Sequence, residues 1–573
     1  MKRLFKYLKG YVKESVLGPL FKMFEATLEL IVPLVIAAIV DRGILAEDYG
    51  YVVKMCFVLL LLGAVGLGFS VTAQYYCAKA AVGFIGKVRY ALFGKMQTLS
   101  YSDIDELGTS TMITRMTADA SKVQNGLNLA LRLLLRSPFV VFGAMIMAFT
   151  VDVRSAMTFV AVIPALSVVV FGILLITMPL YKKAQRGTDT ILARTRENLS
   201  GVRVIRAFRN EDEETEAFAK ENSLLTAVQR RVGKISALMN PLTYVLINFA
   251  ILWLVHTGAI EVSKGNLTQG QVLALYNYMS QILIELIKLA NLIITISKAL
   301  ASASRIADAL DMPTSESVGT VTEGKSGTPA VEFCNVSLTY RGSSEPAIEG
   351  ISFTAEHGET IGIIGGTGSG KSSLVNMIGG FYKPTAGALL VDGVRAEEYS
   401  PTTLRSRIGI VPQNAALFKG TIRENMKWGN ESATDEEITD ALRVAQALGV
   451  VDEKGGLDGE IEQGGRNLSG GQRQRLTIAR ALTRHPEILI LDDSSSALDY
   501  ATDAALRQAI RTLPENITTF IVSQRASSIM HADKIIVLDD GESVGVGTHE
   551  ELLESCSVYK EIYETQFTEV AHG

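Results

Sequence analysis

Eight consecutive residues, Gly365-Gly366-Thr367-Gly368-Ser369-Gly370-Lys371-Ser372, carry the densest chemistry in this sequence. Glycines at this density let backbone N–H groups close around an anion, Lys371 adds a point charge, and Ser372 offers a hydroxyl to a divalent cation. The pattern is that of a phosphate loop, and its setting agrees. The apolar run Glu359-Thr360-Ile361-Gly362-Ile363-Ile364 precedes it, and a helix-like stretch from Lys371 to Gly379 follows, giving the strand, loop, helix order that such a loop requires. Further on stands Leu468-Ser469-Gly470-Gly471-Gln472, and then Ile488-Leu489-Ile490-Leu491, a buried type of strand that ends on Asp492 and Asp493. With a phosphate loop upstream, Asp492 has a metal ion to orient through water. Together these residues predict ATP and Mg²⁺ as ligands.

The elements that must hold these residues fall into two compositions. The chain has 573 residues, enough for two or more domains. With 48% hydrophobic residues and a mean hydropathy of +0.24 it is too apolar for an ordinary soluble protein, and the excess lies before residue 300. Apolar stretches at 15–40, 52–78, 127–150, 155–181, 237–260 and 271–299 are each long enough to cross a hydrocarbon core of ~30 Å, which takes about 20 helical residues. A net charge of -5 argues against a nucleic-acid partner. Cys56, Cys77, Cys334 and Cys556 lack metal or redox spacing and read as inert thiols. Met1 to Lys9 alternates basic and apolar residues at helical spacing without a cleavage site, which predicts an interfacial helix and not a signal peptide.

Three connections between spans are short and carry only Arg42, Arg154 and Lys264 as cations. The other two are long and basic, with Lys79, Lys87, Arg89, Lys95, Arg115 and Lys122 on one and twelve cations from Lys182 to Lys234 on the other. The positive-inside rule therefore places the long connections, both termini and the phosphate-loop domain in the cytoplasm, with the chain in the cell (plasma or inner) membrane. The segments 79–126 and 182–236 keep helical apolar spacing. They read as helix extensions some 30 Å long, ending in turns near Ser102-Asp103-Ile104-Asp105-Glu106 and Phe208-Arg209-Asn210-Glu211 that are suited to touching the ATP domain; the alternative is plain solvated loops. Inside the spans, Glu25 and Glu29 lie one turn apart, and Glu285 and Lys288 three apart. Charge is costly in lipid. These groups face a water-filled substrate path or form internal ion pairs.

The turn-rich stretch 311–330, with Pro313, Ser315, Ser317, Gly324 and Gly327, reads as a linker between a membrane domain (1–310) and an α/β domain (331–573). Strands are predicted at 331–333, 359–364, 408–411, 488–491, 518–522 and 534–538. The predicted fold is an α-helical membrane domain of six spans with long cytoplasmic extensions, plus an α/β P-loop nucleotide-binding domain.

On Leu468-Ser469-Gly470-Gly471-Gln472, following the phosphate loop and preceded by six spans, nearly the whole chain resembles the ATP-binding cassette (ABC) transporter family, in its exporter branch. The resemblance implies roles for further residues. Tyr340 is the aromatic that stacks on adenine, and Gln413, in Val411-Pro412-Gln413, senses Mg²⁺ and contacts the coupling helices. Ser372 and Asp492 hold the metal with it, Ser373 continues the phosphate loop, Ser496-Ala497-Leu498-Asp499 communicates between sites, and Glu462 makes a cross-domain contact. Family cassettes close face to face around ATP, each P-loop against the other chain's signature, so a single chain holds half of two sites. Ser469 and the N–H groups after it would form the second anion cradle at a helix start.

Two positions depart from the family pattern. Asp493 stands where glutamate polarises the attacking water, and Gln524 stands where the switch histidine precedes Arg525. The shorter carboxylate reaches less far, and a displacement of about 1 Å can cost about a hundredfold in rate. An amide keeps hydrogen bonding but cannot carry the charge of an imidazolium. The expectation is a degenerate, slowly hydrolysing site in one half of a heterodimeric, multidrug-type exporter of amphiphilic small molecules, completed by a second half-transporter that receives an intact signature. Aromatic residues through the spans (Phe21, Phe24, Tyr244, Phe249, Tyr276) fit such cargo. A lipid or peptide translocator with the same engine, and an ATP-gated channel or sensor, remain open alternatives.

Overall fold

The long apolar runs fold into six helices, Arg3–Ile44, Tyr49–Gln97, Thr109–Val151, Val153–Ser200, Glu211–Ser263 and Gln269–Leu310, each long and apolar enough to cross a membrane. The computed structural model describes residues 2–313, 319–513 and 517–571. They divide into two compact units, Met1–Met96 with Ser110–Met312, and Gln97–Thr109 with Pro313–Gly573. In the first unit the fourth helix runs 48 residues, about 72 Å at 1.5 Å per residue and over twice a ~30 Å hydrocarbon core. Its start is set by Asp152, whose side chain accepts from the Ser155 N–H, and the sixth helix starts at a capping box of Thr268 with Gln271. The expected interfacial segment is a 3₁₀ helix, Lys2–Tyr11.

Polar side chains tie the ends of the spans together. Asp41, at the end of the first span, accepts from Thr268 Oγ1 (2.5 Å) and the Gly270 N–H (2.8 Å) at the start of the sixth. Glu261 accepts from Arg154, Lys264 and Asn266 at 2.7–3.1 Å, so the fifth span, its following turn and the start of the fourth share one carboxylate. Between these ends Leu30, Val140, Phe159, Leu166, Leu254 and Met279 belong to one buried apolar cluster, and the Tyr278 hydroxyl within it donates to the Leu30 carbonyl at 2.7 Å.

Several charges within the bundle are paired. Arg136, which the sequence reading did not single out, donates to Glu285 (2.7 Å) and Glu29 (2.5 Å), while Ser137 and Lys288 both donate to Glu285 at 2.8 Å. Lys22 pairs with Glu25 and donates to Ser70 at 3.1 Å. The internal ion pair is thus the form these acidic residues take, although the side chains of Glu29 and Lys288 keep 40% and 45% exposure at the two ends of the chain of charges.

The second unit is built on a six-stranded sheet, for which β1–β12 are numbered along the chain: Val331–Leu338, Ile348–Ala355, Thr360–Gly365, Ala386–Val391, Val394–Arg395, Ile408–Val411, Gly420–Thr421, Glu460–Ile461, Ile488–Asp492, Thr518–Val522, Lys534–Asp539 and Glu542–Gly547. The order is β12-β11-β3-β10-β9-β6, parallel except for the β11–β12 pair. The central strands are buried throughout, which is why they read as continuous apolar runs. A second sheet, β2-β1-β4-β5, is antiparallel and half exposed. Its strands β2, β4 and β5, with the edge strand β12, were not expected, since glycines and polar residues interrupt their alternation. Strand β1 extends beyond the expected 331–333 to Leu338.

Of the expected linker, Thr314 to Val318 lie outside the described residues. Its later part is no free tether: the Val321 N–H donates to the Glu398 carbonyl, the Ser400 N–H to Val321, and the Lys325 N–H to Asp392, at 2.8–3.1 Å. The helix Tyr101–Leu107, capped by a Ser100–Asp103 box and ended by Gly108 at φ 72°, also belongs to this unit.

Removing Arg136 would leave Glu29 and Glu285 without their shared cation. Arg136→Ala is expected to cost about 3–5 kcal/mol, read as a lowered unfolding midpoint in detergent. Lys288→Ala, losing a half-exposed partner, should cost less than about 1 kcal/mol; equal losses would show that Arg136 is not the centre of the network.

Candidate functional site

Strand β3 delivers the phosphate loop at its carboxyl end, and local sterics dictate its glycines. A Cβ on Gly365 would stand 2.1 Å from the Leu538 carbonyl and one on Gly370 2.6 Å from that of Ala347, while Gly368 and Gly370 take φ of +88° and +92°. The helix Lys371–Ile378 begins directly after the loop. Lys371 is buried, and its ammonium donates to the carbonyl of Gly365 (2.9 Å), to that of Gly366 and to Ser369 Oγ (3.2 Å). Burial pushes this lysine below its usual range, against the pull of Asp493 and Asp492.

Strand β9 brings the acidic residues opposite. Ser372 Oγ donates to Asp492 at 3.0 Å. Burial raises the Asp492 carboxyl above the ordinary aspartate range, the hydrogen bond from Ser372 opposing and the charge of Asp493 adding. Asp493 takes a left-handed φ of 46°, anchored by its N–H to the Val522 carbonyl, and Gln413 Nε2 donates to its carboxylate at 3.4 Å. Tyr340 closes the far end through a 2.7 Å hydrogen bond to Ser373 Oγ and an edge-on contact with Tyr382.

Tyr340, Thr367, Gly368, Gly370, Lys371, Ser372, Ser373, Gln413, Asp492, Asp493 and Gln524 all line one cleft. The Ser372 hydroxyl and the Asp492 carboxylate, with the Gln413 side chain in the same cleft and a buried ammonium beside them, offer oxygen donors of the kind that fit Mg²⁺, next to a loop that fits phosphates. Ser372, Asp492 and Gln413 would hold the ion and Lys371 the phosphate charge; bound there, Mg²⁺ neutralises charge on the phosphoryl oxygens.

Ser469, Gly470, Gly471 and Gln472 are not among the residues of that cleft. Ser469 caps the helix Gly470–Leu482, accepting from the Gln472 N–H while Gln472 Oε1 accepts from the Ser469 N–H at 2.9 Å. The Gln472 amide also donates to Glu453 at 2.8 Å, so both of its ends serve the fold. The signature rests on the segment 496–499: a Cβ on Gly471 would stand 3.0 Å from the Ala497 carbonyl. The N–H of Glu462 donates to Asn467 Oδ1 at 3.0 Å.

Sequence reasoning missed three features. Gln566 spans the switch loop, donating to the Gln524 carbonyl (2.7 Å) and accepting from the Ala526 N–H (2.8 Å); no motif marks it. Tyr382 donates to Asp105 at 2.6 Å and is pushed above the usual tyrosine range by burial and that carboxylate. Arg341 donates to Asp103 at 2.7 Å, and Tyr101 packs on Phe381. The turn expected to touch the ATP domain therefore does so, beside Tyr340. The other predicted turn, Phe208-Arg209-Asn210-Glu211, is exposed and follows the short helix Val202–Phe208, which buries none of its residues and leaves Val204 and Phe208 exposed within the first unit.

Known proteins match this arrangement from end to end. The model of the ABC transporter transmembrane region matches residues 15–286, and that of the ABC transporter matches residues 348–496. An uncharacterised ABC transporter ATP-binding protein of Bacillus subtilis, YfiB, is 36% identical, covering 99% of each chain. An ATP-dependent lipid A-core flippase of Hahella chejuensis is 30% identical, covering 97% of this chain and 96% of its own. The solved structure of a bacterial Atm1-family ABC exporter with ATP bound shares the fold at a TM-score of 0.78, with 23% identity and 98% of both chains covered. With its membrane-spanning region and one cassette on a single polypeptide, this chain belongs to the ABC transporter family as an exporter-type half-transporter.

Proposed function

We propose that this chain is the ATP-holding half of a heterodimeric exporter of amphiphilic molecules, with a degenerate site at its own P-loop. The observation that supports this reading is the contrast inside one cleft. The binding groups from Tyr340 through Lys371 and Ser372 to Asp492 line it together, while the two groups that would move or share a proton are a short carboxylate, Asp493, and an uncharged amide, Gln524. Gripping needs only dipoles and charge in place; turnover needs a base that reaches the water. The signature's Ser469 and glycine N–H groups, off this cleft and at a helix start, are then free to complete the partner's site. The exposed Val204 and Phe208 provide apolar surface for the partner's cassette.

A lipid cargo is the second reading, favoured by the relative named as a lipid A-core flippase. Both cargoes are amphiphiles. Fluorescent-lipid translocation and dye accumulation in inside-out vesicles containing the dimer separate them.

Three outcomes check the reading. The chain purified alone should hydrolyse ATP slowly and gain at least tenfold on adding its partner; full-speed turnover by the chain alone would sink the asymmetry. Restoring the family residues by Asp493→Glu with Gln524→His should raise turnover at this site by at least about a hundredfold, the usual worth of a positioned general base, with ATP affinity unchanged. Ser469→Arg should abolish turnover at the partner's site, while ATP binding at Lys371, followed by photolabelling, persists.

A further inference from the structure

We infer that the junction of the N-terminal 3₁₀ helix with the second span binds the headgroup of one anionic phospholipid. An open groove runs there between Tyr7 and Tyr11 on one side and Gly83, Gly86, Lys87 and Tyr90 on the other. The two elements are locked in contact by missing side chains: a Cβ on Gly83 would fall 2.1 Å from the Tyr11 ring, and one on Gly10 2.4 Å from Lys87 Nζ. Lys87 therefore lies over the backbone of Gly10, 5.1 Å from the centre of the Tyr11 ring.

The exposed surface of both elements turns from mainly apolar to mixed basic and aromatic at this groove. Exposed apolar side chains run through Val12, Val16 and Leu20 on the first span and include Val71, Tyr75 and Val82 on the second, with Phe5 and Phe93 exposed beyond the groove. On the far side of Tyr11 and Gly83 the exposed groups include Lys6, Lys9, Lys87 and Tyr90, alongside Phe5 and Phe93. Glu14, one turn into the first span, is already engaged by Lys79 at 3.0 Å. Among the described residues none of Lys6, Lys9 and Lys87 has a carboxylate within 4.0 Å. A cation with an aromatic face behind it and no protein anion beside it is complementary to a phosphodiester. Tyrosine hydroxyls sit at headgroup depth, and juxtamembrane lysines are drawn to anionic lipid. The floor of the groove is Gly86, where an added Cβ would meet nothing within 4 Å, leaving room for a glycerophosphate group over the helix.

Native mass spectrometry of the full chain, released from nanodiscs of equal phosphatidylglycerol and phosphatidylcholine, tests this. At least fivefold preferential retention of phosphatidylglycerol is expected. Lys87→Gln, which removes the charge, and Gly86→Leu, which fills the groove and suits a helix, should each lower retention at least threefold. In both variants the unfolding midpoint and ATP binding should remain as in the parent chain. Equal retention of the two lipids, or undiminished phosphatidylglycerol in both variants, overturns the proposal. So does displacement by millimolar glycerol 3-phosphate, which would assign the groove to a soluble phosphate.

Discussion

The working of the cassette depends on a lysine taken out of water and given only neutral oxygens in return. Lys371 is held by two carbonyls and a hydroxyl, while Asp492 and Asp493 stand close enough to pull on its proton but make no ion pair with it. Such an ammonium retains most of its unspent attraction for anions, in surroundings where charge is weakly screened. The loop glycines, the strand that ends at Gly365 and the helix that begins at Lys371 all serve to hold that charge and a row of N–H groups toward the same point.

The same rule, that desolvated charge must be matched, is solved differently in the first unit. There the two terminal nitrogens of Arg136 bind two carboxylates from two other spans, so one side chain clamps three helices. A hydrocarbon environment has no water to take over any of these bonds. The cassette's lysine is arranged for a ligand and the bundle's arginine for its neighbours; the chemistry is alike, and the difference lies in whether the partner is part of the chain.

Much of this was legible from residue order. Continuous apolar runs announced the spans and the parallel strands, because elements buried on every side have no polar face to disguise them. The phosphate loop and Asp492 were legible because phosphate and metal leave few choices of residue type. The antiparallel strands β2, β4, β5 and β12 were not, since half-exposed strands with glycine and polar positions lose their alternation. Arg136 escaped notice because a lone cation in an apolar run gives no sign of its partners, which lie 107 and 149 residues away. Gln566 escaped for the same reason: it uses its amide on backbone groups 42 and 40 residues distant, and backbone carries no sequence signal.

That glutamine joins two parts of the cassette that are far apart along the chain. It sits on the helix Ser557–Ala571, and its single amide grips peptide groups on both sides of Arg525, at the rim of the phosphate cleft. Displacing that helix would turn two peptide planes beside Gln524. An antibody fragment or a bulky fusion seated on this outer helix would therefore act on the cleft without entering it, and purification handles belong elsewhere on the molecule.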